Sequence, residues 1–177
     1  AGTLASGKDT AARYLERKGF CHFSLSDELR EIIRERGNEP MRDLMHDVAI
    51  EVRSRFGDTY LTERLLEKIK KSSCRTVVVT SIHRPEEARA LQQSGATLWV
   101  VDAPFAVRFE RARSRGRIGD GVTFEAFKEQ EERELASTDR GGQQIDYVLR
   151  IANEKIDNSG AEEDLYRAID ALLEKLT

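Results

Sequence analysis

Short apolar runs of β type alternate along the chain with longer stretches whose apolar residues recur every three or four positions. The runs are Cys21-His22-Phe23-Ser24, Thr76-Val77-Val78-Val79-Thr80, Thr97-Leu98-Trp99-Val100-Val101-Asp102 and Glu154-Lys155-Ile156-Asp157. The second is continuously apolar at its centre, as a parallel strand covered on both faces should be. Helices are predicted over Gly7–Lys18, with Ala11, Ala12, Tyr14 and Leu15 apolar, and from Ser26 as N-cap, with Leu29, Ile32 and Ile33 on one face and Gly37 as the stop. Others are predicted over Met41–Phe56 and Tyr60–Lys71, from Pro85 in a favoured first-turn position, and over Pro104–Ser114, Thr123–Leu135, Gly142–Ala152 and Ala161–Leu176. Strand and helix in alternation predict an α/β fold with a mainly parallel sheet.

The first helix is preceded by Gly2-Thr3-Leu4-Ala5-Ser6-Gly7-Lys8, a match to G-x-x-x-x-G-K. Glycines let the backbone curl until successive N–H groups point at phosphate oxygens, and the helix that follows adds its positive dipole end. A lysine at the end of the loop places a point charge on the β- and γ-phosphates. So short a motif arises by chance in long proteins; opening directly into a helix at the head of an α/β pattern, it reads as a phosphate loop. Gly2, Leu4, Ala5, Ser6, Gly7 and Lys8 are the expected cradle for ATP, with Lys8 also catalytic. The next position, normally a magnesium-ligating Ser or Thr, is Asp9, followed by Thr10. Both are candidates for Mg2+. A strand should lead into such a loop. The expectation is therefore one domain over residues 1–177, with either apolar residues ahead of Ala1 or an unusual arrangement in mid-sheet.

The run Ser6-Gly7-Lys8-Asp9-Thr10 resembles the loop of phage-type deoxynucleoside monophosphate kinases. That resemblance implies a three-layer α/β/α P-loop NTPase fold with short lid helices. Ser24-Leu25-Ser26-Asp27-Glu28-Leu29-Arg30 is similar to the S-x-x-D-x-L-R segment of the same kinases, whose Arg grips the acceptor phosphate. By resemblance Arg30 and Asp27 are acceptor-binding candidates; an arginine suits the task because its planar fork pairs bidentately with phosphate. Outside this context the segment would be a capped surface helix with a solvated Arg. Ser81-Ile82-His83-Arg84-Pro85-Glu86-Glu87 resembles the D-G-I-R-N-P-x-E turn of monophosphate and dephospho-CoA kinases. Thr80 stands in the Asp place and His83 in the Arg place, so His83 and the adjacent Arg84 are candidates for the acceptor, and Asp102, at the end of the next strand, for the metal.

Asp102-Ala103-Pro104 leads into Arg108, Arg111, Arg113, Arg115 and Arg117, which resembles the lid entry of this superfamily. A lid brings positive charge over the transferring phosphoryl group and excludes water. Arg111 and Arg115, four apart on one helical face, are the catalytic candidates, and Arg117 is placed against adenine. The remaining arginines read as solvated and salt-bridged. Ala152–Gly160 resembles the closing A-D-x-x-I-x-N-x-G pattern, which implies Asn158 at the adenine pocket. The activity implied is transfer of the γ-phosphoryl group of ATP to a small phosphorylated acceptor, a (deoxy)nucleoside monophosphate. The alternatives are dephospho-CoA kinase-like chemistry, with Asp27 as base, and a nucleotide-sensing module that binds without turnover.

Composition narrows the partners. The 177 residues carry 29 basic and 32 acidic side chains, a net charge of -3, which argues against general nucleic-acid binding. No apolar run approaches the roughly 18 residues of a membrane span, and no signal peptide is visible, so the expected location is cytoplasmic. Cys21 and Cys74 read as buried thiols in a reducing compartment. His22, His46 and His83 are scattered without ligand spacing, which disfavours a metal-dependent hydrolase. Neither H-x-E nor P-C-x-x-C occurs, so the chain holds no zinc deaminase site.

Overall fold

The computed structural model of the chain describes residues 1–116, 123–135 and 143–176. β1 (Cys21–Ser24) and β2 (Val77–Thr80) pair in parallel, Cys21 opposite Val77 and Ser24 opposite Thr80. β3 (Trp99–Asp102) and β4 (Glu154–Asp157) pair likewise, Trp99 opposite Glu154. Among the described residues the two pairs are not hydrogen-bonded to each other. Ala1 runs along β3: its nitrogen donates to the Trp99 carbonyl at 2.7 Å, and its own carbonyl accepts from Val101 N–H at 3.0 Å. The chain passes from there straight into the Gly2 loop.

Helices α1 (Lys8–Arg17) and α9 (Glu162–Glu174) cover one face of the strands, burying Ala11, Leu15, Val101, Ile156, Leu165 and Ile169 with Val78 against them. Helices α2 (Leu25–Glu35), α3 (Arg42–Phe56), α4 (Tyr60–Lys71) and α5 (Pro85–Gln93) cover the other. Their core includes Ile33, Leu65 and Ala88, with Val79 packed on it. Val78 and Val79 thus serve opposite faces, as the period of two along a strand requires. The result is a three-layer α/β/α fold. Each fully buried Ile or Leu contributes about 1.5–3 kcal/mol by leaving water. α6 (Phe105–Arg115) and α7 (Phe124–Leu135) meet at one end over Ala5, Ala112 and the fully buried Phe127. α8 (Ile145–Arg150) packs on α5 and adds Val148 to the larger core.

Several expectations need correction. α2 begins at Leu25, with Ser24 rather than Ser26 as its extended N-cap residue, because β1 runs into the helix with no intervening loop. β2 is half-buried along its length rather than fully covered. α8 is shorter than its pattern suggested, and Gly142 lies outside the described residues. The cysteines are not thiols. Cys21 opens β1, and Cys74 leads into β2. Parallel pairing brings their Cα atoms to 6.1 Å, and they form a disulfide. Among the described residues no helix is long and apolar enough to cross a membrane.

Candidate active site

The loop ahead of α1 is held tightly on all sides. A Cβ on Gly2 would lie 2.2 Å from the Val101 carbonyl oxygen, and one on Gly7, at φ 101°, would lie 2.2 Å from Asn158 Nδ2. Only glycine fits at either place. Asn158, itself buried, donates from Nδ2 to the Ser6 carbonyl at 2.8 Å and so ties the end of β4 to the loop. Thr3 donates its hydroxyl to Asp102 Oδ1 at 2.6 Å, which ties the end of β3 to it as well. Ala5 sits at φ 57°, a left-handed conformation that costs a residue with a Cβ about 1–2 kcal/mol. The strain is sustained by packing against Phe127 and Ala112. Ser6 Oγ is buried with no hydrogen-bond partner among the described residues.

The loop opens on a pocket of about 880 Å³ lined by Ala5, Gly7, Lys8, Asp9 and Thr10 on one side and by Arg111, Arg115 and Asn158 on the other. Lys8 Nζ reaches back to the Thr3 carbonyl at 3.3 Å. Arg111 spans from α6 to the loop after β4, donating to the carbonyls of Asn158 at 2.8 Å and Gly160 at 3.2 Å. Arg115 is exposed at the rim, and Arg117 lies outside the described residues. Leu4 packs half-buried against the aromatic cluster of α6 and α7, and its carbonyl accepts from Arg108 at 3.3 Å. Among the described residues no group of three or more His, Cys, Asp or Glu side chains could hold a metal. That is compatible with magnesium, which keeps most of its waters and binds through substrate phosphates plus one or two carboxylates. Asp9 and Thr10 at the pocket wall and Asp102, its side chain 48% exposed, are the oxygen donors at hand.

The acceptor candidates gather at the C-terminal ends of β1 and β2. Ser24, Ser26 and Ser81 place their hydroxyl oxygens 2.9–3.0 Å apart in a closed triangle. Arg30 donates to Ser26 Oγ at 3.0 Å and to Asp27 at 2.7 Å. Ser81 holds φ 60°, so the non-glycine residues in the left-handed region among those described, Ala5 and Ser81, are one on the phosphate loop and one on this turn. Such strain persists where surrounding structure over-determines it, commonly at functional sites. Thr80, in place of the Asp of the resembling motif, hydrogen-bonds His22 at 2.8 Å.

His83 and Arg84 part company. Burial, and then the positive charge of Lys8, push the His83 imidazole down to about 3, so at neutral pH the ring carries no charge. Its Nδ1 is buried without a hydrogen-bond partner among the described residues. His83 therefore offers a hydrogen bond beside Lys8 but does not replace the cation of an arginine. Arg84 is 6% exposed and lies within 3.6 Å of Glu86 and 4.0 Å of Asp58.

Two charged pairs escaped the sequence reading. Arg108, expected to be a solvated member of the lid run, is 5% exposed and pairs with Glu131 of α7 through both terminal guanidinium nitrogens, at 2.5 and 2.9 Å. It also donates to the carbonyls of Ala103 and Leu4. Arg53 of α3 pairs with Glu87 of α5 at 2.8 Å, both side chains being buried. A charged residue at an apolar helix position was the available signal for each, but it carries no information on the partner.

A family model described as an AAA domain matches residues 1–136. The UPF0200 protein of Hyperthermus butylicus is 30% identical over 178 residues, spanning 100% of this chain and 92% of that protein. The chain belongs to the AAA domain family and to the UPF0200 proteins. Solved structures resemble this UPF0200 chain over nearly its whole length. TT1252 from Thermus thermophilus superposes with a TM-score of 0.62 at 21% identity, covering 99% of this chain and 95% of that one. Shikimate kinase from Acinetobacter baumannii, in complex with shikimate, does so with a TM-score of 0.58 at 18% identity, covering 99% and 91%. At these identities the likeness is one of fold, and the fold is the α/β P-loop NTPase fold.

Proposed function

We propose that this UPF0200 protein is an ATP-dependent phosphotransferase whose acceptor is a small phosphorylated molecule, a (deoxy)nucleoside monophosphate. The observation that carries the reading is the loop from Gly2 to Lys8. It is locked by Val101, Asn158 and Thr3–Asp102, and it opens with Lys8 and the α1 N-terminus onto a pocket faced by Arg111 and Arg115. In this reading the loop amides and Lys8 bind the β- and γ-phosphates, and Arg111 and Arg115 stabilise the charge spread over the transferring group. Magnesium, supported by Asp9, Thr10 and Asp102, would neutralise phosphate charge. Arg30 and the serine triangle hold the acceptor at the same end of the strands, and His83 orients it by hydrogen bonding. An acceptor phosphate is already an anion, so no side-chain base is required.

The test is incubation with Mg-ATP and a panel of ribo- and deoxyribonucleoside monophosphates and dephospho-CoA, products being separated by chromatography, with Lys8→Ala as control. A phosphorylated monophosphate that disappears in the variant is the expected result. Phosphorylated dephospho-CoA alone would replace the acceptor assignment. Tight ATP binding with no product from any acceptor would sink the catalytic claim and leave a nucleotide-sensing domain.

A further inference from the structure

Glu87 is 1% exposed, yet its carboxylate is fully engaged from two directions. One oxygen, Oε2, accepts the backbone N–H groups of His83 at 3.1 Å and Arg84 at 3.2 Å. The other, Oε1, accepts from Arg53 Nη2 at 2.8 Å. Arg53 lies on α3, a helix separated in sequence from the turn by all of α4 and β2. The charge-assisted bonds of such a pair are short and directional, and removing Arg53 takes from the buried Oε1 the cation it accepts from. We infer that Arg53 is a positioning residue for the acceptor turn: acting through Glu87, it fixes the backbone at His83 and Arg84 and so sets where the acceptor sits relative to Lys8. This rests on the acceptor reading of the turn proposed above.

The geometry gives the inference its direction. With the Oε1 bond in place, the carboxylate cannot rotate, and the two amides have one fixed acceptor. Without Arg53 the carboxylate is drawn towards whatever water or cation can reach it, and the turn loses its anchor. The loop that binds ATP is held by a separate set of contacts, to Val101, Asn158 and Asp102, none of which involves α3. Loss of Arg53 should therefore fall on the acceptor and spare ATP.

Arg53→Met, Arg53→Lys and Glu87→Gln would be prepared in the full chain, the last two as variants that keep the site polar should the first fold poorly. Two readouts are needed. Amide hydrogen exchange by NMR reports the turn directly: exchange at His83 and Arg84 is expected to accelerate in Arg53→Met and Glu87→Gln relative to amides of α1, and Arg53→Lys should restore most of the protection. Affinities report the consequence. Binding and KM of the best monophosphate from the panel should weaken on the order of 10- to 100-fold, as a small misplacement of a reacting group does, while Kd for Mg-ATP stays within about twofold. Unchanged exchange at the two amides would overturn the inference, as would a parallel loss of acceptor and ATP affinity tracking a general drop in stability. Accelerated exchange in a protein that binds no monophosphate at all would overturn the proposed acceptor and leave Arg53 with its hold on the turn.

Discussion

Breaking the Cys21–Cys74 bridge should destabilise this protein by an amount the chain separation sets. The two residues are 53 positions apart, so the oxidised unfolded chain carries a closed loop spanning α2, α3 and α4. In the chain-entropy description a loop of that length removes about 14 cal/mol/K from the unfolded state, or about 4 kcal/mol at 25 °C. For a chain of 177 residues that corresponds to a fall in Tm of roughly 8–16 °C. The assay compares urea and thermal unfolding of oxidised protein, protein in reductant, and Cys21→Ser/Cys74→Ser, with thiols titrated before and after denaturation. Oxidised protein should show no titratable thiol in either state, and the double variant should match reduced protein and ignore reductant. Two thiols titrating in unfolded protein never exposed to reductant would refute the bridge. A double variant as stable as oxidised wild type would refute the entropic argument while leaving the bridge.

Three further outcomes are expected. Gly7→Ala forces a Cβ onto Asn158 Nδ2 at a left-handed φ; calorimetry with Mg-ATP should show binding lost, with stability lowered by about 1–3 kcal/mol, and retained nanomolar-to-micromolar binding would contradict the loop geometry. Ser81→Gly removes a hydroxyl from the triangle and also relieves a strained φ worth about 1 kcal/mol. Stability should hold or rise while KM for the acceptor increases and ATP affinity is unchanged, and an unaltered acceptor KM would remove Ser81 from the acceptor site. His83 is held neutral down to about 3, below its ordinary 6.5. The native state therefore binds fewer protons there than the unfolded chain, so this contribution to stability is complete above pH 6.5 and is lost as pH falls from 6.5 towards 3. NMR of the imidazole should show no titration between pH 5 and 8, and a midpoint near 6.5 would contradict the burial.

Much of this fold is legible because its signals are local. β1, α4 and β4 stand at the boundaries their patterns predict, because β-type runs and a clean amphipathic period identify each one without help from neighbours. The phosphate loop is equally local, since seven consecutive residues contain its glycines and its lysine. What depends on register is not legible. Nothing in the sequence says that Cys21 and Cys74 sit side by side, because that follows from β1 pairing with β2 in parallel at one particular alignment. The serine triangle has the same origin. Ser24 and Ser26 are close in the chain, but Ser81 reaches them only because Ser24 pairs with Thr80. Arg108 was placed correctly on its helix and incorrectly in its environment. Its place in a run with Arg111, Arg113 and Arg115 suggests solvent, and its partner, Glu131, comes from α7.

The two buried arginine–glutamate pairs make a common point about how the candidate site is built. Each joins an element carrying candidate site residues to a helix that carries none of them. Arg108 and Glu131 bind α7 to the phosphate loop through the Leu4 carbonyl and to the end of β3 through Ala103. Arg53 and Glu87 bind α3 to the turn at His83 and Arg84. Buried pairs of this kind are a poor source of net stability, because desolvation offsets most of the attraction, and well-packed apolar side chains of the same volume often do as well. Apolar packing, however, tolerates sliding of one element over another, whereas a bidentate or three-way hydrogen-bonded carboxylate admits one arrangement. Phosphoryl transfer depends on placing donor and acceptor in line, with little covalent work for the protein. On the proposed reading, a protein doing that chemistry has most to gain from fixed geometry at the loop ahead of α1 and at the turn after β2, and each of those places is held by a buried charged pair.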